Sequence, residues 1–359
     1  KSISEGYDII VLDSISVLLE PVIGSSEKRS WLLNYFYQLP VLLNGLLILV
    51  AELPFGEEKL GLGSIEFIVD AMIILKHRVE DGFLTRIIEV RKARGAPIHI
   101  AETFFSITED LGISVFTPPV LAELPVEGGE VKLVCKYLKE TAGHYHRGFI
   151  INIFYPPGPG IGLEVFLGIL ALAIINNMKA LVISYTHPSL IIRENIKNRL
   201  VMSGLSSEKA ERVLEKYMII TALNPHAHSL TQLVARELAI IEQVKPDIVV
   251  FYGVHLARDH ITGLTTYLKE LFNEIMYLKS KRLIDIRIGC CLDEYSCNVE
   301  TTLADVTYKF EKVFREDGSI DTRIYVYRRF KEPRVFMGNY VNECVKEWIE
   351  VIREYAEKL

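Results

Sequence analysis

Residues 148–166 read GFIINIFYPPGPGIGLEVF: a short apolar run, a loop of prolines and glycines, then an apolar segment suited to a helix. A buried strand entering a glycine-rich loop that opens a helix is the geometry of phosphate cradling, because loop N–H groups and the helix N-terminus converge on one anion. The working pattern is G-x-x-x-x-G-K-[ST], in which the Lys reaches the β- and γ-phosphates and the hydroxyl holds Mg²⁺. Aligned on its last glycine, the loop begins at Pro157, keeps Gly158, Gly160 and Gly162, and ends in Leu163 and Glu164. Leu163 offers no charge, and a carboxylate at 164 repels a triphosphate. The glycine frame of a phosphate loop survives without its chemistry.

Outward from this loop, short continuous runs such as YDIIVLD (7–13), LLILVA (46–51) and DIVVFY (247–252) predict strands covered on both faces. Between them lie helix-like segments, SSEKAERVLEKYM (206–218) and SLTQLVARELAIIEQV (229–244), each opening on a serine suited to an N-cap. The alternation predicts an α/β fold with mostly parallel sheets and helices on both faces.

The two halves of the chain repeat one another. YDIIVLDSIS from Tyr7 pairs with PDIVVFYGVH from Pro246, FIVDAMIIL around Asp70 with TLADVTYKF around Asp305, and EDGFLTRIIEVRKAR from Glu80 with EDGSIDTRIYVYRRFK from Glu316. The offsets are 239 between Asp8 and Asp247, 235 between Asp70 and Asp305, and 237 between Thr85 and Thr322. Similar order at a nearly constant offset marks two copies of one α/β unit. FTPPVLAELPVEGGE (116–130), rich in Pro and Gly, is the expected link, giving domains at 1–118 and 131–359 around a linker at 119–130. The second copy has about 100 residues between Phe149 and Asp247, whereas the first has seven before Asp8, so the first is expected to lack its N-terminal half.

This pattern resembles the KaiC-like ATPases of the RecA superfamily, in an archaeal-type arrangement of two tandem P-loop NTPase-type domains. IIVLDSISVLL resembles the family's Walker B strand, which implies that Asp13 helps to hold Mg²⁺. A carboxylate ending a buried strand needs a cation or donors, which suits that role, although a helix N-cap or turn acid reads the same way. The K-x-R of TRIIEVRKARG, Lys92 and Arg94, follows the Asp70 strand and the Thr85-Arg86 turn and is similar to the basic pair with which ring ATPases reach a neighbour's γ-phosphate. Two cations one residue apart on a strand share a face, but in isolation such a pair reads as a solvated strand face. In the second copy Arg329 and Lys331 keep a basic-x-basic spacing, Tyr252 stands where the first has Asp13, and Thr186-His187 stand where the family carries a pair of glutamates. The resemblance implies ATP and Mg²⁺ as ligands of a complete first domain, a hexameric ring or a regulatory protein partner, and a second domain that is a pseudo-ATPase. This chain alone is expected to be inactive.

Composition bounds the alternatives. With 359 residues, 50% of them hydrophobic, the chain can bury a large core, and charge-rich segments beside many Ile and Tyr suggest a thermophilic source. A net charge of −6 gives no support to nucleic-acid binding, so a recombination or repair role rests on superfamily analogy alone. The most apolar windows, 39–51 and 165–175, are too short to span a bilayer, and no signal peptide is visible. Five cysteines, without C-x-x-C, argue against a disulfide framework and for a reducing cytoplasm; Cys290, Cys291 and Cys297 could ligate a metal or be buried thiols. The histidines of HYH (144–146), HAH (226–228) and HLARDH (255–260) are further candidates for metal or acid/base chemistry, the first two read as surface residues. The amphipathic segment 340–359 predicts a helix packed on its own domain or docked to a partner. The remaining alternative is a non-catalytic RecA-like scaffold or signalling module.

Overall fold

The computed structural model describes residues 8–19, 25–53, 65–80, 82–108, 112–115, 129–158, 162, 164–259, 264–314, 318, 320–337 and 340–358. Gly160, Leu163 and most of the expected linker lie outside the described residues. Two compact units emerge: residues 1–76 with 88–102, and residues 77–87 with 103–359.

The first unit contains β1 (Ile9–Asp13), α1 (Ile15–Leu19), α2 (Ser26–Leu43), β2 (Leu46–Val50) and α3 (Ile65–Ile68). The Ser25 hydroxyl caps α2 by accepting from the Lys28 N–H at 3.4 Å, and the helix ends on Asn44 in the left-handed region. β1 and β2 run parallel, with Ile9 opposite Leu46 and Asp13 opposite Val50. One face packs on Ile15, Leu33, Phe36 and Ile65 through Leu12, Leu47 and Leu49. The other face exposes Ile9, Val11, Leu46, Ile48 and Val50. The apolar runs do form strands, but among the described residues only one face of this pair is covered, where the sequence predicts cover on both.

β3 (Ala71–Glu80), β4 (Phe83–Ala93), β5 (Glu102–Thr108) and β6 (Gly112–Val115) form a four-stranded sheet in that order. Thr85 and Arg86 lie within β4 instead of a turn; the reversal falls at Gly82, whose φ of 82° a side chain would strain.

From residue 129 onward the second unit opens with the antiparallel pair β7 (Glu130–Val131) and β8 (Tyr145–His146), joined through α4 (Lys136–Ala142). It continues with β9 (Ile150–Tyr155), α5 (Glu164–Asn176), β10 (Ala180–Ser184), α6 (Ser189–Met202), α7 (Ser207–Tyr217), β11 (Met218–Ala222), α8 (Leu230–Val244), β12 (Ile248–Tyr252) and α9 (Val254–Asp259). It closes with α10 (Leu264–Ser280), β13 (Ile284–Cys290), α11 (Glu294–Leu303), β14 (Val306–Phe314), β15 (Ile320–Arg328), β16 (Arg334–Met337) and α12 (Tyr340–Ala356). Ser206 and Ser229 cap α7 and α8 as their positions predict. Eight strands form one sheet in the order β11-β10-β12-β13-β9-β14-β15-β16, parallel from β11 through β14 and antiparallel beyond. This agrees with the α/β, RecA-like architecture expected from the sequence.

Alternate residues of the central strands enter two cores. Val182, Val250 and Ile286 pack with α5 on one face, while Ile183, Val249 and Phe251 pack with α8 on the other. The amphipathic C-terminal segment is α12, which buries Cys344, Val345, Ile352 and Ala356. Gly168 of α5 lets the Trp348 ring close in, since a Cβ there would meet it at 3.0 Å.

The cysteines depart from expectation. Cys135 is bonded to Cys344 across 209 residues of sequence, Cys291 is bonded to Cys297, and Cys290 is buried and belongs to neither disulfide. An odd count guarantees only one unpaired cysteine; it says nothing about distant residues that the fold of α12 onto the segment before α4 brings together. The Cys291–Cys297 bond also removes two of the three thiols that could have ligated a metal.

Candidate functional site

In a parallel sheet, ligands gather beyond the carboxyl ends of the strands, where the loops carry the functional groups. In the second unit β10, β12, β13 and β9 end there side by side, on Ser184, Tyr252, Cys290 and Tyr155. The loop after Tyr155 passes through Gly158 at φ 133°, a conformation natural to glycine. α5 starts at Glu164, whose carboxylate folds back over Gly162 into the space a Cβ there would need. Arg199 lies 3.5 Å from that carboxylate. The Glu164 carboxylate is thus already engaged by the protein.

Tyr252 is 7% exposed, stacked on His187 at 6.0 Å and edge-on to Phe166 at 5.1 Å. Burial holds its hydroxyl above the usual phenol range, so it stays protonated and cannot replace a carboxylate. Thr186 Oγ1 and His187 Nδ1 hydrogen-bond to each other at 2.8 Å, and Gly253 has no room for a Cβ because Thr186 fills it. His255 meets Tyr155 edge-on at 6.3 Å, and its Nδ1 accepts the N–H of Cys290 at 3.1 Å, which places the ring proton of the neutral form on Nε2. Arg258 is buried and donates to Glu300 at 3.2 Å and to the Cys290 carbonyl at 3.3 Å. HLARDH therefore supplies structure at this edge; His260 and the side chain of Asp259 lie outside the described residues. Rings and committed ion pairs thus line this edge of the sheet.

The remaining histidines of interest are spread through loops and strand ends. His144 pairs with Glu130, His146 packs on Phe149, and His228 is held below the usual histidine pKa by burial and by Arg236. Among the described residues, no group of three or more His, Cys, Asp or Glu is arranged to hold a metal.

In the first unit Asp13 ends β1 exposed, on the same face as Ile9 and Val11, with no ion pair among the described residues. Lys92 and Arg94 converge on one place, the carbonyl end of α3. Lys92 Nζ donates to the carbonyls of Glu66 and Phe67 at 2.9 and 3.2 Å, and Arg94 reaches the Asp70 carboxylate at 2.9 Å and the Phe67 carbonyl at 3.5 Å.

The second copy repeats this clamp. Arg329 pairs with Asp305 at 3.2 Å and donates to the Leu303 carbonyl at 2.8 Å. The backbone bond Arg94 N–H to Asp70 carbonyl, 2.7 Å, recurs as Arg329 to Asp305 at 3.0 Å. These contacts set Arg94 against Arg329 at an offset of 235, the same as Asp70 against Asp305. Gly95 and Phe330, also 235 apart, share positive φ values of 80° and 60°. The clamping aspartates are what sequence reasoning missed; an Asp opening each hairpin and an Arg closing it was the available signal. Lys331 follows as an exposed residue.

Residues 3–120 match the family model of the KaiC ATPase. This front part of the chain is KaiC-like. The match takes in Asp13, Lys92 and Arg94, and the α/β architecture is consistent with a KaiC-like protein of the RecA superfamily. No curated protein matches the chain. No helix among the described residues is long and apolar enough to cross a membrane.

Proposed function

We propose that this KaiC-like chain combines a nucleotide-facing front copy with a second RecA-like unit that is a pseudo-ATPase, kept for structure or regulation. In the front copy Asp13 would help to hold Mg²⁺ within a complete domain, and Lys92 and Arg94, braced together on α3, would reach ATP at a subunit interface of a homo-oligomeric ring. One observation carries the reading of the second unit: Glu164 folds over Gly162 while Tyr252 lies under the rings of His187 and Phe166. ATP with Mg²⁺ does not fit residues that present an anion and a buried phenol where a hydroxyl and a carboxylate are needed. Calorimetric titration of Mg-ATP into the chain tests this, with no heat beyond dilution expected. Tight Mg²⁺-dependent binding that is weakened by Tyr252→Phe or Glu164→Gln would overturn it.

A second reading, a non-catalytic scaffold, is favoured by the exposed apolar face of β1 and β2, which a protein partner would cover. Light scattering with and without nucleotide separates the two. Nucleotide-dependent hexamers support the ATPase-family ring, and a size indifferent to nucleotide supports the scaffold.

A further inference from the structure

The two disulfides of the second unit differ in what surrounds them. Cys135 and Cys344 are both buried, one on the segment before α4 and the other within α12. A thiol in solution reaches neither sulfur while α12 stays packed, so this bond is a structural staple. Cys291 and Cys297 lie six residues apart in sequence, just past the end of β13 and within α11, with Cα atoms 6.0 Å apart, a span that a disulfide bridges. Cys297 is buried, but Cys291 is partly exposed and the residues that follow it, Leu292 to Tyr295, are fully exposed. One bond is sealed in the core, and the other opens onto solvent at the carboxyl edge of the sheet.

Thiol–disulfide exchange in a folded protein needs an accessible sulfur, a leaving sulfur whose thiolate is stabilised, and a scaffold that survives the opening. Cys291 is the accessible sulfur, fixed in place because its N–H donates to the Tyr155 carbonyl at 2.8 Å. Cys297 is the leaving sulfur. The Arg258 guanidinium lies 3.9 Å from its Sγ, and a cation at that distance favours thiolate, although Glu300 shares the same guanidinium at 3.2 Å. The scaffold holds without the bond: Asp293 caps α11 by accepting from the Tyr295 and Ser296 N–H groups at 3.2 and 2.8 Å, and Asn152 donates to the Glu300 carbonyl at 3.1 Å.

We propose that Cys291–Cys297 is a thiol–disulfide exchange site, opened by a dithiol in solution and closed again by a disulfide oxidant, while Cys135–Cys344 stays intact. One thiolate of the dithiol attacks Cys291 Sγ, the bond to Cys297 breaks, and its electron pair leaves on Cys297 beside Arg258. The second thiolate of the dithiol then attacks its own sulfur in the mixed disulfide, and Cys291 leaves. Two electrons pass from the dithiol, which ends as a disulfide, to the two protein sulfurs, which take up the two protons the dithiol gave up. The exchange happens against the crest of the sheet, since the neighbouring Cys290 donates its N–H to His255 and accepts from Arg258 at its carbonyl. The site does not depend on the nucleotide reading above and stands or falls separately from it.

Dithiothreitol added to the folded full chain, with samples quenched in acid, alkylated after unfolding and mapped by mass spectrometry, reads each bond separately. Cys291 and Cys297 should become alkylatable together, about tenfold faster than Cys135 and Cys344. The fast step should persist in Cys135→Ser and vanish in Cys291→Ser. Reduced glutathione, a monothiol, should leave its adduct on Cys291 and none on Cys297, and oxidised glutathione added after the reductant is removed should restore the bond in the folded chain. Equal rates for the two bonds, reduction of Cys291–Cys297 only when urea unfolds the chain, or failure of the bond to re-form overturns the site. An adduct on Cys297 overturns the direction of attack.

Discussion

Val11 and Val250 hold the same place in two copies of one strand, 239 residues apart, yet Val11 is 56% exposed and Val250 is fully buried. The strand boundaries agree at that offset, Ile9–Asp13 against Ile248–Tyr252. The local sequence makes the strand in both cases; what differs is what lies against it. β12 is flanked by β10 and β13 and covered on both faces, whereas β1 pairs with β2 and has one face covered among the described residues. The acids have moved in the opposite direction. By register, Leu47 and Leu49 of β2 correspond to Asp285 and Arg287 of β13, where an ion cluster is buried between the sheet and its helices. The copy whose strand ends on Asp13 has an apolar interior among the described residues, and the copy whose strand ends on Tyr252 carries charges in its core.

The sharpest test of this difference is the clamping aspartate. Asp305 accepts from the Ile150 N–H at 2.9 Å, from Lys279 at 2.7 Å and from Arg329 at 3.2 Å, with its side chain only 12% exposed. Asp70 has a side chain 76% exposed and pairs with Arg94. Asp305→Ala should cost about 3–5 kcal/mol in urea unfolding, since it strands a lysine, an arginine and a backbone donor. Asp70→Ala should cost about 1 kcal/mol or less. Equal costs would mean that the two clamps share a burial that the structure denies them.

The ion cluster makes the second unit sensitive to pH in a way the first is not. Asp285 is fully buried, and desolvation raises its pKa to about 6 against an ordinary value of 3.8, partly offset by Arg287. The folded state binds the proton more tightly, so this contribution to stability is complete below about pH 4 and is lost as pH rises to about 6. The loss amounts to roughly 3 kcal/mol for a shift of this size. Glu237 and Glu300, also raised by burial, act in the same direction. Unfolding midpoints should therefore fall between those pH values, and Asp285→Asn should make the slope shallower. An unchanged slope in that variant would place the titration elsewhere.

Val250→Ala should destabilise by about 2 kcal/mol through the lost burial and the space left behind, while Val11→Ala should stay within about 0.5 kcal/mol. Hydrogen exchange gives the same comparison without mutation, with β12 amides expected to outlast those of β1.

The sequence carried the strands and the serine caps because each depends on local pattern: β-branched runs, and a hydroxyl one residue before a helix. It did not carry the bare face of β1, since YDIIVLD reads the same whether one face or two are covered. Nor did it reveal the bond between Cys135 and Cys344, which depends on where α12 lands. The departure from the phosphate-loop pattern stands in Leu163 and Glu164 themselves, but the fold of Glu164 over Gly162 and the rings around Tyr252 required the packing of separate strands.

The smallest expected effect concerns the turn that ends each hairpin. Gly95 adopts φ 80° without strain, while Phe330, at the equivalent position, holds φ 60° with 99% of its surface exposed. A bulky side chain in the left-handed region costs about 1 kcal/mol or more, and no buried contact offsets it at so exposed a position. Phe330→Gly should therefore stabilise the second unit by up to about 1 kcal/mol, reduced by the added freedom of glycine in the unfolded chain. Gly95→Phe should destabilise the first by a similar or larger amount. If Phe330→Gly instead weakens self-association measured by light scattering, the ring at 330 is retained for contact between copies, and the strained turn belongs to assembly, not to the fold of one chain.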